Sequence, residues 1–500
     1  MYRGITITHI LEFILLLVSS NSTETCGDLS SYRRMWPMNI TQSESTHNKY
    51  FIPVYANKEY NRNGSNITVV IVAIHGFNEA ADFCFCTLLS ALQDRGLEES
   101  VLAIVPWFFH QSISGNMWRN GEVEDTAQDT TLSNMYSLYW LGNISWISGG
   151  DAVINDGHKT LFSGVSSFDM LDSVYSVIVS SDQFPLLSRV VYLGFSAGGQ
   201  MIHRYAWATT HSLFGTVNKK YNVKIRYIIS DPSSYLYFSS DRPNSSCIPL
   251  RDTGVNLSCT EFITYSSNQA SLCPRYNTWK YGLIMEELHG YSYLATLAKN
   301  DTLRELHTAS FRERDVRFVL GSHDSCNCQI TEFENSAHCQ YGTDSSIRCS
   351  ANPFDEPSTC CDTYPDSFHN HLLVDCSSNA QGTNRLQRGL VYMGYLKWYW
   401  QEYAYIPVFK IVKGMKHDMN TFLRSDAIYI WAFNTTPLYG VDKIRKNKSN
   451  TDRTNYRIKV RTFGLARKSK SHSILSTISI SSGYIFSCIV IMFFVSYSIL

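Results

Sequence analysis

The chain has 500 residues, of which 44% are apolar and 13% aromatic, and its 43 basic side chains balance 43 acidic ones. This apolar content excludes a wholly disordered chain, because it can supply a large buried core. The zero net charge and the charged fraction of only 17% speak against a nucleic-acid binder, which needs a basic face.

The N-terminus has the pattern of a secretory signal peptide. Arg3 precedes a short apolar run that ends at Val18, and the small residues Ser19 and Ser20 follow. This order predicts a signal peptide over residues 1–20, with residues 21–50 as an N-terminal segment of the mature chain. Repeated Asn-x-Ser/Thr acceptor sequences and 14 cysteines fit an exported glycoprotein with disulfides. We therefore expect an extracellular or cell-surface location.

From residue 51 to residue 440, β-branched apolar runs alternate with segments of helical spacing. The predicted strands cover residues 67–74, 101–105, 190–193, 225–230, 316–320 and 408–412, and the later helices lie around residues 279–298, 301–313, 383–400 and 418–433. Strands that alternate with helices predict an α/β fold with a mostly parallel central sheet between helices.

Three segments interrupt this alternation. Residues 107–160 contain Trp118, Trp140 and Trp146 and are interpreted either as a cap over a pocket or as ordinary core packing. Residues 232–278 and 325–378 are rich in cysteine and turn-forming residues, and we expect disulfide-rich insertions there. Their close cysteine pairs do not have the spacing of common zinc sites, and no Gly-x-Gly-x-x-Gly motif follows a strand, so neither metal nor cofactor is expected.

The most informative stretch is residues 194–198, which read Gly-Phe-Ser-Ala-Gly directly after a predicted strand. A serine between a buried strand and a helix occupies a sharp turn that exposes its hydroxyl, and Gly194 and Gly198 flank it because side chains there would collide. The helix behind Ser196 directs amide N–H groups toward any oxyanion that forms at this serine.

On this motif and on the pair His75-Gly76, which ends the first recognised strand, the chain resembles the α/β-hydrolase superfamily over residues 51–440. The resemblance implies the chain order nucleophile, acid, histidine. Ser196 is then the nucleophile, Asp324 the acid after the strand at 316–320, and His417 the base on the loop after the last strand. A cofactor-free mechanism is expected.

The resemblance also implies an oxyanion hole made by the backbone N–H groups of Phe77, Asn78 and Ala197, with His75 in a structural role. Two other aspartates compete for the role of the acid: Asp231, which follows the strand at 225–230, and Asp375. His369 and His371 are poorer candidates for the base, because no strand precedes them.

The C-terminal part of the chain differs in composition from the body. Eleven Lys or Arg residues against one acid lie between residues 443 and 470, which predicts a basic linker over residues 441–475. Residues 476–500 form an uncharged apolar tail that fits either a GPI attachment signal or a membrane anchor.

Together these features predict a surface-anchored serine hydrolase, similar to carboxylesterases and lipases, that cleaves an acyl ester or related lipid substrate through an acyl-enzyme. Its partners are this substrate and the membrane, and no nucleic acid. The alternatives are a serine peptidase and a catalytically inactive recognition or adhesion protein on the same fold.

Overall fold

The computed structural model describes residues 27–38, 49–60, 64, 66–77, 80–120, 135–141, 145–155, 160–180, 182–211, 223–244, 261–286, 288–324, 328–329, 338–339, 375–382 and 384–433. All of them lie in the first of two units of the chain, Met1–Thr436. The predicted signal peptide, basic linker and apolar tail lie outside the described residues, as do Asn78, His369 and His371.

A mostly parallel sheet forms the centre of this unit. Its strands, in chain order, are β1 (Arg33–Met38), β2 (Lys49–Ala56), β3 (Val69–Ile74), β4 (Val101–Pro106), β5 (Met135–Ser137), β8 (Arg189–Phe195), β9 (Lys224–Ser230), β12 (Asp315–Gly321) and β15 (Val408–Val412). Across the sheet the order is β1-β2-β4-β3-β8-β9-β12-β15, with β5 also paired to β2. Of the strand pairs that the structure describes in this sheet, β1–β2 and β2–β4 are antiparallel and the others are parallel.

Among the described residues, three short two-stranded ladders lie outside the central sheet. They pair β6 (Asp151–Asn155) with β7 (Thr160–Ser166), β10 (Asp241–Pro243) with β11 (Phe262–Thr264), and β13 (Cys328–Gln329) with β14 (His338–Cys339).

Helices cover both faces of the central sheet. The α-helices are α1 (Ala81–Gln93), α2 (Gly115–Asn120), α3 (Ser167–Ser180), α4 (Ala197–Ala208), α5 (Ser267–Leu272), α6 (Ala295–Ala298), α7 (Asp301–Glu313), α8 (Cys376–Asn379), α9 (Arg385–Tyr399), α10 (Met419–Arg424) and α11 (Asp426–Ile428). Short 3₁₀ turns lie at Ser30–Tyr32, Trp146–Ser148, Ser292–Leu294 and Gln401–Tyr403, and a π turn lies at Tyr429–Phe433.

The continuous apolar runs form strands because both of their faces are buried. All six residues of β3 are buried, and they alternate between two cores. Val70, Val72 and Ile74 pack in the core that contains residues of α3 and α4. Val69, Ile71 and Ala73 pack in the core that contains residues of α1, α10 and α11. The predicted α/β class with a mostly parallel sheet is confirmed.

Two parts of the fold differ from the sequence-based expectations. The sheet begins at β1, ahead of residue 51, because an edge strand paired on one side does not need the apolar run that marks a central strand. The helix predicted around residues 279–298 is wrong: this stretch consists mainly of turns, and only Ala295–Ala298 is α-helical. Gly282 and Gly290, the latter at φ +73°, interrupt the helical spacing there.

The disulfide between Cys273 and Cys376 links one predicted cysteine-rich insertion to the other, over a sequence separation of 103 residues. Among the described cysteines, Cys84 is free and buried, whereas Cys86, two residues along α1, is disulfide-bonded.

Three tryptophans of the predicted cap segment, Trp118, Trp140 and Trp146, are core residues. Trp118 packs against Tyr55 at a ring distance of 5.1 Å, and Trp140 donates its indole N–H to the carbonyl of Gly150. Trp146 packs against the His75 ring, 4.8 Å away between centroids. No helix among the described residues has both the length and the apolar character needed to span a bilayer.

Candidate active site

The turn between β8 and α4 carries Ser196 in a strained conformation. Ser196 has φ +56°, in a region that residues with a side chain rarely occupy. The turn is fixed on one side by the Ser196 amide, which donates to the carbonyl of Ser230 at the end of β9, at 2.9 Å. A strained backbone conformation held by its surroundings is typical of a functional position.

The two flanking glycines are required by close backbone contacts. A Cβ atom on Gly194 would lie 2.1 Å from the carbonyl oxygen of Gly198, and a Cβ on Gly198 would lie 2.2 Å from the carbonyl oxygen of Ile74. Strand end, turn and helix therefore approach one another more closely than any side chain allows.

His417 lies between Ser196 and Asp324. Its Nε2 atom is 2.9 Å from the Ser196 hydroxyl oxygen, and its Nδ1 atom is 2.6 Å from Oδ2 of Asp324. The side chains of His417 and Asp324 are 5% and 2% exposed, and the ring of Phe195 packs against the imidazole at 4.6 Å. The structure thus brings together the three residues that the sequence analysis selected from distant parts of the chain.

Paired loops after β12 and β15 set the position of Asp324 relative to His417. The parallel pairing of these strands continues beyond their ends, since the Ser322 amide donates to the carbonyl of Val412 and the His323 amide to that of Met415. The Ser322 hydroxyl also accepts from the Gly414 amide at 2.8 Å. The backbone is therefore held on both sides of the acid–histidine contact.

The charge state of His417 follows from its burial and its neighbours. Burial lowers the pKa of the imidazole below its ordinary value, the positive charge of Arg385 lowers it further, and Asp324 acts in the opposite direction. The neutral form, which can accept a proton, is thereby favoured at neutral pH. Burial alone would raise the pKa of Asp324, but His417 and Arg385 bring it below its usual range.

The other two candidate acids are occupied elsewhere. Asp231, fully buried, accepts from the Gly321 amide and from the Ser230 hydroxyl, each at 2.9 Å. Burial and the nearby charge of Asp324 raise its pKa well above the usual value. Asp375 caps α8, where it accepts from the amides of Ser377 and Ser378 and from the Tyr281 hydroxyl. None of their described hydrogen bonds goes to His417.

His75 connects two strand ends beside the nucleophile. Its buried ring accepts from the Phe108 amide through Nε2 at 3.0 Å, and its Nδ1 atom lies 2.8 Å from the Gly76 carbonyl oxygen. Burial lowers its pKa to about 4, so the neutral ring that these bonds need is the stable form. The next residue but one, Phe77, has a side chain that is 60% exposed.

Ala197 is the first residue of α4, and the first amides of a helix lack intrahelical acceptors. Its N–H is therefore available to an external acceptor at the turn. In the part of the chain that the structure describes, no three His, Cys, Asp or Glu side chains are grouped as metal ligands would be.

Sequence reasoning missed one charged side chain of the site, Arg385, which lies 3.5 Å from Oδ1 of Asp324. An arginine at the start of an amphipathic helix carries no sequence signal that it contacts an acid 61 residues earlier in the chain.

No protein-family model and no curated protein matches the chain. Among solved structures, it is similar to the poly(3-hydroxybutyrate) depolymerase LpqC of Bordetella parapertussis, with a TM-score of 0.41, 13% identity, and coverage of 83% of this chain and 95% of the other. It is also similar to poly(aspartic acid) hydrolase-1 of Sphingomonas sp. KT-1, with a TM-score of 0.37, 12% identity, and coverage of 80% of this chain and 98% of the other. A third similar structure is the siderophore hydrolase EstB of Aspergillus nidulans, with a TM-score of 0.32, 13% identity, and coverage of 81% of this chain and 97% of the other.

These likenesses are too distant to assign an activity, so the fold is assigned from the chain itself. A mostly parallel sheet lies between two helix layers, the strained serine turn follows a central strand, and Asp324 and His417 follow later strands. This is the arrangement of the α/β-hydrolase fold, and the chain has that fold.

Proposed function

We propose that the protein is a serine hydrolase that cleaves an acyl ester, with Ser196 as nucleophile, His417 as general base and Asp324 as the acid that orients His417. The observation that carries the proposal is the continuous contact from Ser196 through both nitrogens of His417 to Asp324, at 2.9 and 2.6 Å. A serine hydroxyl is a weak nucleophile unless a base removes its proton, and this geometry supplies the base.

In the first half of the reaction, the Ser196 oxygen attacks the ester carbonyl while His417 Nε2 takes the hydroxyl proton. The negative charge on the carbonyl oxygen is stabilised by the N–H groups of Ala197 and Phe77. Collapse of this intermediate breaks the bond to the alcohol, which leaves with the proton from His417. Asp324 keeps Nδ1 protonated and stabilises the imidazolium, without itself becoming protonated.

In the second half, water attacks the acyl-enzyme and His417 again serves as base. The carboxylic acid is released, and the proton returns to Ser196. Short acyl esters are the first substrates to test, because this mechanism requires neither a cofactor nor a charged leaving group.

The decisive test is reaction of the purified full-length chain with a fluorophosphonate probe, which modifies activated serines. We expect the wild type to be labelled, Ser196→Ala to be unlabelled, and His417→Ala to be labelled at least about 100-fold more slowly. Ser163→Ala is the matched control, since Ser163 is buried but bonded to the Ala152 carbonyl on the β6–β7 ladder; it should label like the wild type. No labelling of folded wild type would refute the proposal and favour the inactive recognition protein.

A panel of nitrophenyl esters and peptide amides separates the esterase from the peptidase. Turnover of esters alone supports the proposal. Efficient cleavage of peptides, abolished by Ser196→Ala, would instead show a serine peptidase.

We further propose that the enzyme acts at the cell surface, exported by residues 1–20 and held by residues 476–500. The composition of both segments supports this proposal. Expression of the full chain in eukaryotic cells, followed by treatment with a phosphatidylinositol-specific phospholipase C, tests it. Release of activity indicates a GPI anchor, retention with the membranes indicates a spanning tail, and activity that is never membrane-bound refutes the anchor.

A further inference from the structure

Asp324 has a second charged neighbour in addition to His417. Its Oδ2 atom contacts His417, whereas its Oδ1 atom lies 3.5 Å from Nη1 of Arg385. The Arg385 and Asp324 side chains are 1% and 2% exposed. The two carboxylate oxygens therefore face two different partners away from solvent.

The start of α9 positions Arg385. Asn384 caps this helix by accepting from the Gln387 amide at 2.9 Å, and Arg385 is its first residue. The Leu386 amide donates to the backbone carbonyl of Asp324 at 3.0 Å. One helix end thus holds Asp324 by its backbone and by its side chain, and the positive end of a 15-residue helix favours a negative charge there.

A second carboxyl group, that of Asp231, faces this ion pair. Burial and the charge of Asp324 raise the pKa of Asp231 well above its usual value, although the Gly321 amide and Arg385 act against this. Its neutral form is therefore favoured, which leaves one carboxylate, Asp324, to balance the Arg385 guanidinium. Arg385 is also held by its Nε atom, which donates to the Ser233 hydroxyl at 3.3 Å.

We propose that Arg385 is a positioning residue for the reaction proposed above: it anchors Asp324 through Oδ1 and leaves Oδ2 aimed at His417. The inference rests on the proposed function. Its physical basis is that Arg385 fixes the Oδ1 end of the carboxylate. Without this partner Asp324, kept ionised by the Nδ1–H of His417, can rotate, and Oδ2 no longer holds the His417 ring in its catalytic orientation.

The pH dependence gives a readout specific to this role. The charged or titratable groups that face His417 are Asp324, Arg385 and Asp418, together with the Ser196 hydroxyl. Because the charge of Arg385 opposes protonation of His417, removing that charge raises the pKa of His417. At low pH His417 is protonated and inactive, so kcat/KM falls; this fall is the acid limb of the profile. The acid limb then moves to higher pH. Removing the charge of Asp324 moves it to lower pH.

The experiment compares the full-length wild type with Arg385→Gln, Arg385→Lys and a matched control, Arg388→Gln. Arg388 is a buried arginine one turn further along α9 that donates to the carbonyls of Gly382 and Ser233. The measurements are kcat/KM for a nitrophenyl ester between pH 5 and 9, and thermal unfolding.

We expect Arg385→Gln to lower kcat/KM at least about tenfold at neutral pH and to raise the acid limb by about half a pH unit or more. Arg385→Lys should restore the limb, because it keeps the charge. Arg388→Gln should lower thermal stability without moving the limb. An unchanged limb in Arg385→Gln, or an equal shift in Arg388→Gln, would overturn the inference.

If Arg385→Gln does not fold, the double variant Asp324→Asn/Arg385→Gln decides, because it removes both charges together. If Arg385 acts through Asp324, the double variant should have a kcat/KM within about threefold of that of Asp324→Asn. A further tenfold loss would contradict the inference. A wild type without esterase activity, or an active Ser196→Ala variant, would refute the proposed function itself and is distinguishable from either result.

Discussion

Replacing Gly194 by alanine tests whether the packing of the serine turn is needed for activity. The added Cβ would lie 2.1 Å from the Gly198 carbonyl oxygen and 2.3 Å from its carbonyl carbon, both of which are backbone atoms that cannot rotate away. Real Cβ atoms essentially never lie closer than 3.0 Å to such an atom. Restoring this distance requires about 0.9 Å of backbone displacement. This displacement separates the end of β8 from the start of α4, directly beside Ser196.

A misplacement of about 1 Å in a catalytic group costs on the order of 100-fold in rate, which corresponds to about 2.7 kcal/mol of transition-state stabilisation. We therefore expect Gly194→Ala to lower kcat/KM for a nitrophenyl ester about 100-fold. Overpacking should also lower the free energy of unfolding by about 1–3 kcal/mol.

Gly96→Ala is the control for general effects of glycine replacement. Gly96, just beyond α1, has φ +61° and no heavy atom within 4 Å of an added Cβ. An alanine there should cost about 1–2 kcal/mol of stability while leaving kcat/KM within about twofold. Wild-type kcat/KM in folded Gly194→Ala would show that the backbone yields without moving Ser196, and would refute this reasoning.

Three further predictions concern the acid, the pH profile and the disulfide. Asp324→Asn should lower kcat/KM at least about 100-fold, whereas Asp231→Asn, which imitates a neutral acid, should stay within about threefold; the reverse ranking in steady-state assays would make Asp231 the acid. Because the pKa of His417 is lowered, activity should persist below pH 6.5, the ordinary histidine pKa, and a kcat/KM profile whose acid midpoint lies above that value would contradict the burial argument. Replacing Cys273 and Cys376 together by serine should lower the free energy of unfolding by about 2–5 kcal/mol, measured by denaturant titration, and an unchanged stability would show that other contacts already close this loop.

The serine turn could be predicted from the sequence because the residues that form it are close together in the chain. The strand, the two glycines and the serine lie within a few residues of one another, and the steric requirement they express is the same in any context. The central strands were accessible for a similar reason, since burial on both faces demands continuous apolar runs such as residues 69–74.

The sequence favoured Asp324 as the acid only through the family resemblance, because Asp231 also follows a buried strand. In the structure it is Asp324 that contacts His417, and this depends on Ser322 and Gly414, whose hydrogen bond joins two loops that are 92 residues apart. The position of Arg385 next to Asp324 could not be predicted from the sequence either, since it depends on where α9 begins relative to the end of β12. Such relations arise from tertiary packing and leave no local pattern.

The disulfide between Cys273 and Cys376 also determines what limited proteolysis of the chain would produce. Every peptide bond between these two residues lies inside a covalent ring of the chain. A single cut before Cys376 within the predicted insertion at residues 325–378 would therefore leave the fragment that carries Ser196 and the fragment that carries His417 joined as one molecule. The two would separate only after denaturation and reduction, so a nicked enzyme would keep its full mass on a non-reducing gel.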